Sequence, residues 1–160
     1  MNQRLCPDLQ KLWDDYIEAE ELHIRPEIES RLKRFIENIV CKPLPEWQNW
    51  AMDIAKSVVD YEANIKIRLP LFRSVIFPSL HKGIVENKPG CARWLADLVP
   101  QLHHSPCCKE QLGGDTTRIG ILRLALKHDK DDARARKKLI SDLQKNLEYS
   151  IHELPTAVHI

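Results

Sequence analysis

The residues best suited to chemistry in this sequence are two histidines and two cysteines in the segment His103-His104-Ser105-Pro106-Cys107-Cys108. Imidazole and thiolate are the usual ligands of Zn²⁺, and Cys91 could fold back to join them. The spacing is unfavourable, because the adjacent residues Cys107 and Cys108 do not both turn readily toward one ion, and the sequence has no Cys-x-x-Cys pair. Cysteine is also commonly buried as a small apolar residue. We therefore expect no metal site and no cofactor, with a metal- or thiol-dependent regulator kept as an alternative function.

Motifs that support nucleophilic or phosphate chemistry are missing from the sequence. It contains no Gly-x-Ser-x-Gly elbow, no His-Glu-x-x-His helix and no glycine-rich phosphate loop. With only five glycines, the chain has few places where its backbone can closely approach a phosphate or an oxyanion. We therefore expect that the protein is not an enzyme.

A polar stretch from Asp60 to Arg68 is a candidate binding region. Asp60, Asn64 and Arg68 are spaced at i, i+4 and i+8, so they share one face if a helix continues through them, with Tyr61 beside them. One interpretation is a polar groove that contacts a partner, for which Tyr and Arg are favoured anchors. The other is a buried carboxylate–arginine pair that ties two helices together. The sequence leaves both open.

The N-terminal region carries an excess of negative charge. Residues 1–30 contain eight acidic residues and three basic ones, in a protein whose net charge is +1. The apolar stripe of the first predicted helix turns four of these acids toward the outer and flanking surface: Asp14, Asp15, Glu18 and Glu21. Such a surface is either merely solvated or steers a partner protein that has a basic surface.

The run Arg134-Ala135-Arg136-Lys137-Lys138 is the densest group of basic residues. On a helix these side chains spread over more than one face, and the preceding acids, Asp129, Asp131 and Asp132, oppose a phosphate backbone. Proteins that bind nucleic acid normally have a wider basic patch, together with aromatic side chains on which bases can stack. A solvated helix face is the favoured interpretation, and a helical nucleic-acid-binding protein is a further alternative function.

Prolines divide the chain into helix-length segments with amphipathic stripes, because proline is tolerated in a first helical turn and ends a preceding helix. The alternating segment 65–69 is too short and isolated for a strand and is expected to connect two helices. A kink is expected at Pro78, and Thr116 or Thr117 should cap the seventh helix. We predict one all-α domain over residues 1–160, with seven or eight helices stacked as antiparallel hairpins with mild superhelical curvature. The segments begin near Pro7, Pro26, Pro43 and Pro45, Pro70, Ala92, Pro106, Thr117 and Asp131.

Composition limits where the protein is expected to work. The apolar runs last only a few residues, far short of the roughly 20 that span a bilayer. No apolar stretch follows the N-terminal base, as a secretory signal would require, and five irregularly spaced cysteines do not suggest a disulfide framework. These features predict a cytoplasmic protein with free thiols that does not insert into membranes.

The segment Ala125–Leu139 reads as the end of one helix, an acidic turn and the start of a second helix that folds back. It resembles the junction between tetratricopeptide repeats, where a helix ending in Ala-Leu meets a turn of the form Asp-Pro-x-x-Ala-x-Ala, with Lys130 here in the place of the proline. The resemblance implies stacked antiparallel helices, with Ala133 packed closely against the helix before it.

Together these observations predict a non-enzymatic protein of helical-repeat type that binds another protein. A bacterial immunity protein that neutralises a toxin fits the size, the expected single domain, the lack of catalytic motifs and the acidic surface. That assignment is by type alone, since no shared motif identifies such proteins.

Overall fold

The computed structural model of the protein describes residues 5–153 of the 160. Of residues 5–153, 79% are helical and none is in a strand, which confirms the predicted all-α fold. Eight of the helices in this range have seven residues or more. The helices are α1 Pro7–Leu22, α2 Arg25–Val40, α3 Leu44–Tyr61, α4 Leu69–Leu71, α5 Phe77–Val85, α6 Cys91–Asp97, α7 Val99–His103, α8 Pro106–Leu112, α9 Arg118–His128 and α10 Ala133–Glu153, with a π-helical stretch Phe72–Ile76 between α4 and α5.

Proline positions explain where many of these helices begin. Pro7 and Pro106 are the first residues of α1 and α8, and Pro26 and Pro45 are the second residues of α2 and α3. The first four N–H groups of a helix have no partner within it, so a residue without an N–H costs little there. Residues 62–68 connect α3 to α4, so the segment 65–69 lies in a connection between helices, as the sequence predicted, up to Leu69, which begins α4.

Where the sequence predicted a kink at Pro78, the structure has a π-helical stretch in the preceding turn. Pro78 is the second residue of α5, and only Phe77 separates it from the stretch Phe72–Ile76. Pro78 cannot donate a hydrogen bond to the carbonyl of Ser74, and its ring would clash with that carbonyl in a regular α-helix. Widening the preceding turn to π-helical hydrogen bonding relieves that conflict.

The interior is one continuous apolar cluster that includes residues from Leu5 to Ala135. Its aromatic centre brings α1, α2 and α3 together: the Trp13 ring lies 5.0 Å from Trp50 and 5.2 Å from Phe35, between ring centroids. Tilted and edge-on aromatic pairs at this separation stabilise a core by about 0.5–1.5 kcal/mol beyond the area they bury. The α1–α2 hairpin that carries the acidic residues is therefore held rigidly on the body of the protein.

Helices α9 and α10 form the hairpin expected from the segment Ala125–Leu139. Thr117 caps α9 by accepting a hydrogen bond from the Gly120 N–H at 3.1 Å, and the Asp132 side chain caps α10 by accepting from the Ala135 N–H at 2.9 Å. Arg118, the first residue of α9, pairs with Asp142 of α10 at 2.6 Å, which requires the two helices to run antiparallel.

One expectation about this hairpin is wrong. Ala133, predicted to pack against the preceding helix, is exposed, whereas Ala135 is fully buried. Each helical residue turns the side chain by about 100°, so two residues separate these side chains by about 200°. Because α10 begins at Ala133 with Asp132 as its cap, the inward position is Ala135.

Candidate partner-binding surfaces

Four predicted acids lie together on the outer side of α1 and form what we call the acidic patch: Asp14, Asp15, Glu18 and Glu21. Asp14, Glu18 and Glu21 are exposed and Asp15 is half-buried. Their spacing of i, i+4 and i+7 keeps the three exposed carboxylates on one face, because helical residues at those intervals are neighbours. The opposite face of α1, with Leu9, Trp13 and Tyr16, is buried in the core.

Most of the negative charge of the acidic patch is not neutralised locally. Glu18 pairs with Arg31 of α2 at 2.9 Å, and Asp14 accepts a hydrogen bond from Gln10 at 2.8 Å. Within residues 5–153, Asp14 and Glu21 have no ion pair. Like charges at i and i+4 destabilise a helix by about 0.2–0.5 kcal/mol per pair, so the patch does not serve the stability of α1.

Asp60, by contrast, is committed to the interior. Its side chain is 2% exposed and accepts hydrogen bonds from both terminal nitrogens of Arg93, with Nη2 at 3.1 Å from Oδ2, and from Trp94 Nε1 at 2.9 Å. Arg134 Nη1 approaches Asp60 Oδ2 to 3.2 Å, and Arg93 Nε reaches Asp132 Oδ2 at 2.8 Å. We call these five residues the Asp60 cluster; it joins α3, α6 and α10.

The charges of the Asp60 cluster shift the acidity of its central carboxyl. Burial raises the pKa of Asp60, but the hydrogen bonds from Arg93 and Trp94 outweigh it and hold the pKa below its usual range. The sequence did not identify Arg93 or Trp94, because they lie 33 and 34 residues from Asp60 and no local pattern links them.

Asp60, Asn64 and Arg68 do not share a helical face, because α3 ends at Tyr61. Glu62 takes a left-handed conformation with φ of 52°, and the Ala63 N–H bonds back to the Ser57 carbonyl, which closes the helix. Tyr61 and Asn64 are exposed beside this end. The buried carboxylate–arginine interpretation therefore holds for Asp60 with a different arginine, and a partner-binding role for Tyr61 and Asn64 stays a prediction.

Arg68 belongs to a second internal cluster, built around Glu20 of α1. Arg68 donates hydrogen bonds to both carboxylate oxygens of Glu20, with Nη2 at 3.0 Å from Oε2. Lys66 Nζ lies 3.7 Å from the same Oε2. The Tyr16 hydroxyl donates to Glu20 at 2.8 Å. The pKa of Glu20 is lowered, mainly by the hydrogen bond from Arg68. The pKa of Tyr16 is raised, first by burial and then by its hydrogen bond to the Glu20 carboxylate. Glu20 thus anchors α1 to the connection after α3.

A groove of about 730 Å³ runs between α2 and α4. Leu32, Ile36, Leu69 and Pro70 supply its apolar surface. The charged side chains on its rim are paired within the protein: Glu29 with Arg25, Lys33 with Glu37, and Arg68 with Glu20. The groove is therefore an apolar recess with a neutralised rim, unlike the acidic patch.

The histidine and cysteine segment does not converge on one point. His103, His104 and Cys107 are exposed, whereas Cys108 is buried with its sulfur 4.0 Å from that of Cys107. Cys91 is buried elsewhere, where its thiol donates to the Met52 sulfur at 3.5 Å. In the part of the chain that the structure describes, no group of three or more His, Cys, Asp or Glu residues is arranged to hold a metal ion.

Most of the basic run of α10 has partners within the chain, although Arg134 and Arg136 are exposed. Arg134 approaches Asp60, Lys138 pairs with Asp97, and Arg136 donates to the Lys130 carbonyl at 2.6 Å. Lys137 is exposed. Most of these charges thus neutralise nearby acids or bond to the turn before α10.

A surface that the sequence reasoning missed lies along α10 from Ile140 onward. Four large apolar side chains on this helix are 41–62% exposed: Ile140, Leu143, Leu147 and Ile151. Their spacing of three, four and four residues was the available signal, but spacing alone does not show whether a stripe is covered. We call these residues the apolar stripe.

Known proteins give no guide to the role of these surfaces. The chain matches no protein-family model, and no curated protein or solved structure is significantly similar to it. None of the helices between residues 5 and 153 is long and apolar enough to cross a membrane.

Proposed function

We propose that this protein is a non-enzymatic helical domain whose function is to bind another protein, and that the acidic patch on α1 receives a basic surface of that partner. The observation that carries the proposal is the grouping of three exposed carboxylates on one face of a rigid helix, with Asp15 beside them; Glu18 has an arginine partner, while Asp14 and Glu21 have none within residues 5–153. This arrangement opposes helix stability, and it suits a surface that attracts positive charge.

A second line of support comes from the ionisable groups with shifted pKa values. Catalytic sites commonly hold such groups in a cleft with unsatisfied hydrogen-bonding capacity. Here the two buried carboxyls with lowered pKa values, Asp60 and Glu20, each accept hydrogen bonds from an arginine and from a further donor, and these bonds connect helices. The two other carboxyls with lowered pKa values, Glu86 and Asp115, are exposed. Their perturbation is accounted for by packing, which favours a binding protein over an enzyme.

The acidic patch is expected to act mainly on the rate of encounter. Exposed charges at the edge of an interface speed association by attracting an oppositely charged partner, and they add little to the stability of either protein. The patch is suited to this because α1 is fixed on the body through the Glu20–Arg68 pair and the Trp13 ring contacts.

The test compares two variants with the same change in net charge. In Asp14→Asn/Glu21→Gln the two unpaired acids of the patch are neutralised, and in Glu110→Gln/Asp131→Asn two exposed acids outside it are neutralised. The tagged chain captures its partner from the organism that encodes it, and the purified pair is then titrated by calorimetry at low salt. We expect weaker binding for the patch variant and unchanged binding for the control, with both retaining the wild-type melting temperature.

Equal effects of the two variants would mean that only net charge matters, and no effect of either would remove the acidic patch from the interface. The toxin-neutralising role expected from the sequence is one form of the proposed function. It predicts that the captured partner harms cells when it is expressed without this chain, and a partner that is harmless when expressed alone would argue against that form.

A further inference from the structure

Helix α10 is longer than the helix it packs on. It has 21 residues, whereas α9 has 11. Because Asp142 pairs with Arg118, the first residue of α9, the part of α10 beyond Asp142 extends past the end of its neighbour. Residues 143–152 are exposed without interruption. The second half of α10 is thus a projecting helix that the described part of the chain does not cover.

The apolar stripe begins at Ile140, just before this projecting part, and continues along it as a narrow seam. At 100° per residue, Ile140, Leu143, Leu147 and Ile151 fall within an arc of about 80°. The centre of that arc lies about 120° from the direction of Ala135, which points into the core. A seam this narrow, with three- and four-residue spacing, is typical of a helix that pairs with one other helix and not of one that packs on a broad core.

We propose that the occupant of the apolar stripe is a second copy of this chain, with the two α10 helices packed antiparallel across a two-fold axis. Such an interface is self-complementary, so Leu143 of one copy packs against Leu147 of the other. The remaining exposed large apolar residues between 5 and 153 include no second seam of this length: they are Leu22, Ile24, Val40, Tyr61, Val85 and Tyr149.

Charge decides the direction of pairing. Beside the apolar stripe, the first half of α10 carries the exposed bases Arg136 and Lys137, whereas the second half carries the exposed acid Glu148. The exposed base Lys145 lies about 160° from the centre of the stripe, on the other side of the helix. Parallel helices would set the two basic halves side by side. Antiparallel helices bring Arg136 and Lys137 of one copy toward the half of the other that carries Glu148, and opposite charges beside a helical seam set its orientation.

The interface is expected to be small. The stripe extends over 11 residue steps, or roughly 16 Å of helix, which places it at the low end of specific interfaces. Dimerisation should therefore depend on protein concentration. This inference is independent of the proposed function, because the acidic patch lies on α1 and its partner is a different protein.

The test measures the mass of the full chain over a range of concentrations by sedimentation equilibrium. We expect a shift from the monomer mass of 18.6 kDa toward twice that value as concentration rises. Leu147→Glu should remain monomeric, whereas the matched control Tyr149→Glu, which changes an apolar residue 68% exposed on another side of the same helix, should still dimerise. Circular dichroism checks that both variants keep the wild-type helix content.

A charge exchange tests the antiparallel direction. Glu148→Lys should weaken the dimer, and adding Lys137→Glu should restore it. The second-copy proposal is wrong if the wild-type chain stays monomeric at every concentration, or if Leu147→Glu dimerises as well as wild type. It is also wrong if Leu147→Glu has the same mass as wild type in sedimentation equilibrium but no longer binds the protein partner, because the stripe would then be part of the surface that binds that partner. A dimer that is insensitive to Glu148→Lys would overturn the antiparallel arrangement.

Discussion

Removing the charge of Asp60 should destabilise the protein strongly, although Asp60 lies far from the proposed interface. In Asp60→Asn, the Arg93 side chain, which is 8% exposed, loses its two-pronged carboxylate partner and retains Asp132. Breaking a buried ion pair by removing one partner costs about 3–5 kcal/mol, and the remaining Asp132 contact places this case near 3 kcal/mol. For a domain of this size that corresponds to a melting temperature lower by roughly 6–12 °C.

The assay is urea denaturation followed by circular dichroism, with Asp53→Asn as the control. Asp53 lies on the same helix, is half-buried and has no ion pair within residues 5–153, so the same chemical change should cost less than about 0.5 kcal/mol there. A loss for Asp60→Asn no larger than for the control would refute the assignment of the Asp60 cluster as the link between α3, α6 and α10.

The difference in unfolding free energy between wild type and Asp60→Asn should depend on pH, which provides an independent check. The pKa of Asp60 is lowered in the folded protein, so its contribution is fully present above the unfolded value of about 3.9 and is lost as the pH falls through the folded pKa. The stability gap between wild type and Asp60→Asn should therefore be constant from neutral pH to about pH 5 and should shrink in more acidic solution. A gap that stays constant into strong acid would mean that its origin is not the carboxylate charge.

Two further substitutions test the packing. Ala135→Leu should lower the free energy of unfolding by about 1–3 kcal/mol through overpacking, whereas Ala133→Leu should change it little because Ala133 is exposed; equal effects in urea denaturation would contradict the observed start of α10. Gly90→Ala should lower the free energy of unfolding by about 1–3 kcal/mol, because Gly90 has φ of 86° and an added Cβ would lie 2.6 Å from Trp94 Cζ2. The substitution would displace the Trp94 ring, which donates a hydrogen bond to Asp60. An unchanged melting temperature together with an unchanged tryptophan emission would show that the turn is not strained.

The helical fold could be predicted from the sequence because its signals are local. A proline in the first turn marks the beginning of α1 and α8, and Thr117 caps α9 as expected. The end of α3 had no such signal. It is closed by Glu62 in a left-handed conformation that glycine or asparagine usually supplies, so the helix was allowed to continue toward Arg68.

The acidic patch could be located because it depends only on the spacing of residues along α1. The ion-pair clusters could not, because their members come from distant parts of the chain: Glu20 pairs with Arg68, 48 residues away, and Asp60 with Arg93, 33 residues away. The exposure of the apolar stripe was also hidden, since the sequence gives the period of a helix but not the length of the neighbour that covers it. Both failures have the same physical origin in tertiary packing.

The central claim, that the acidic patch attracts a basic partner protein, is tested most directly by the rate of association. Stopped-flow measurements on the purified pair would follow wild type and Asp14→Asn/Glu21→Gln from low to high salt. We expect the variant to associate more slowly at low salt and the two rates to converge as added salt shortens the screening length to about 10 Å or less, with dissociation nearly unchanged. Equal association rates at low salt would contradict the claim and leave the acidic patch as solvated surface.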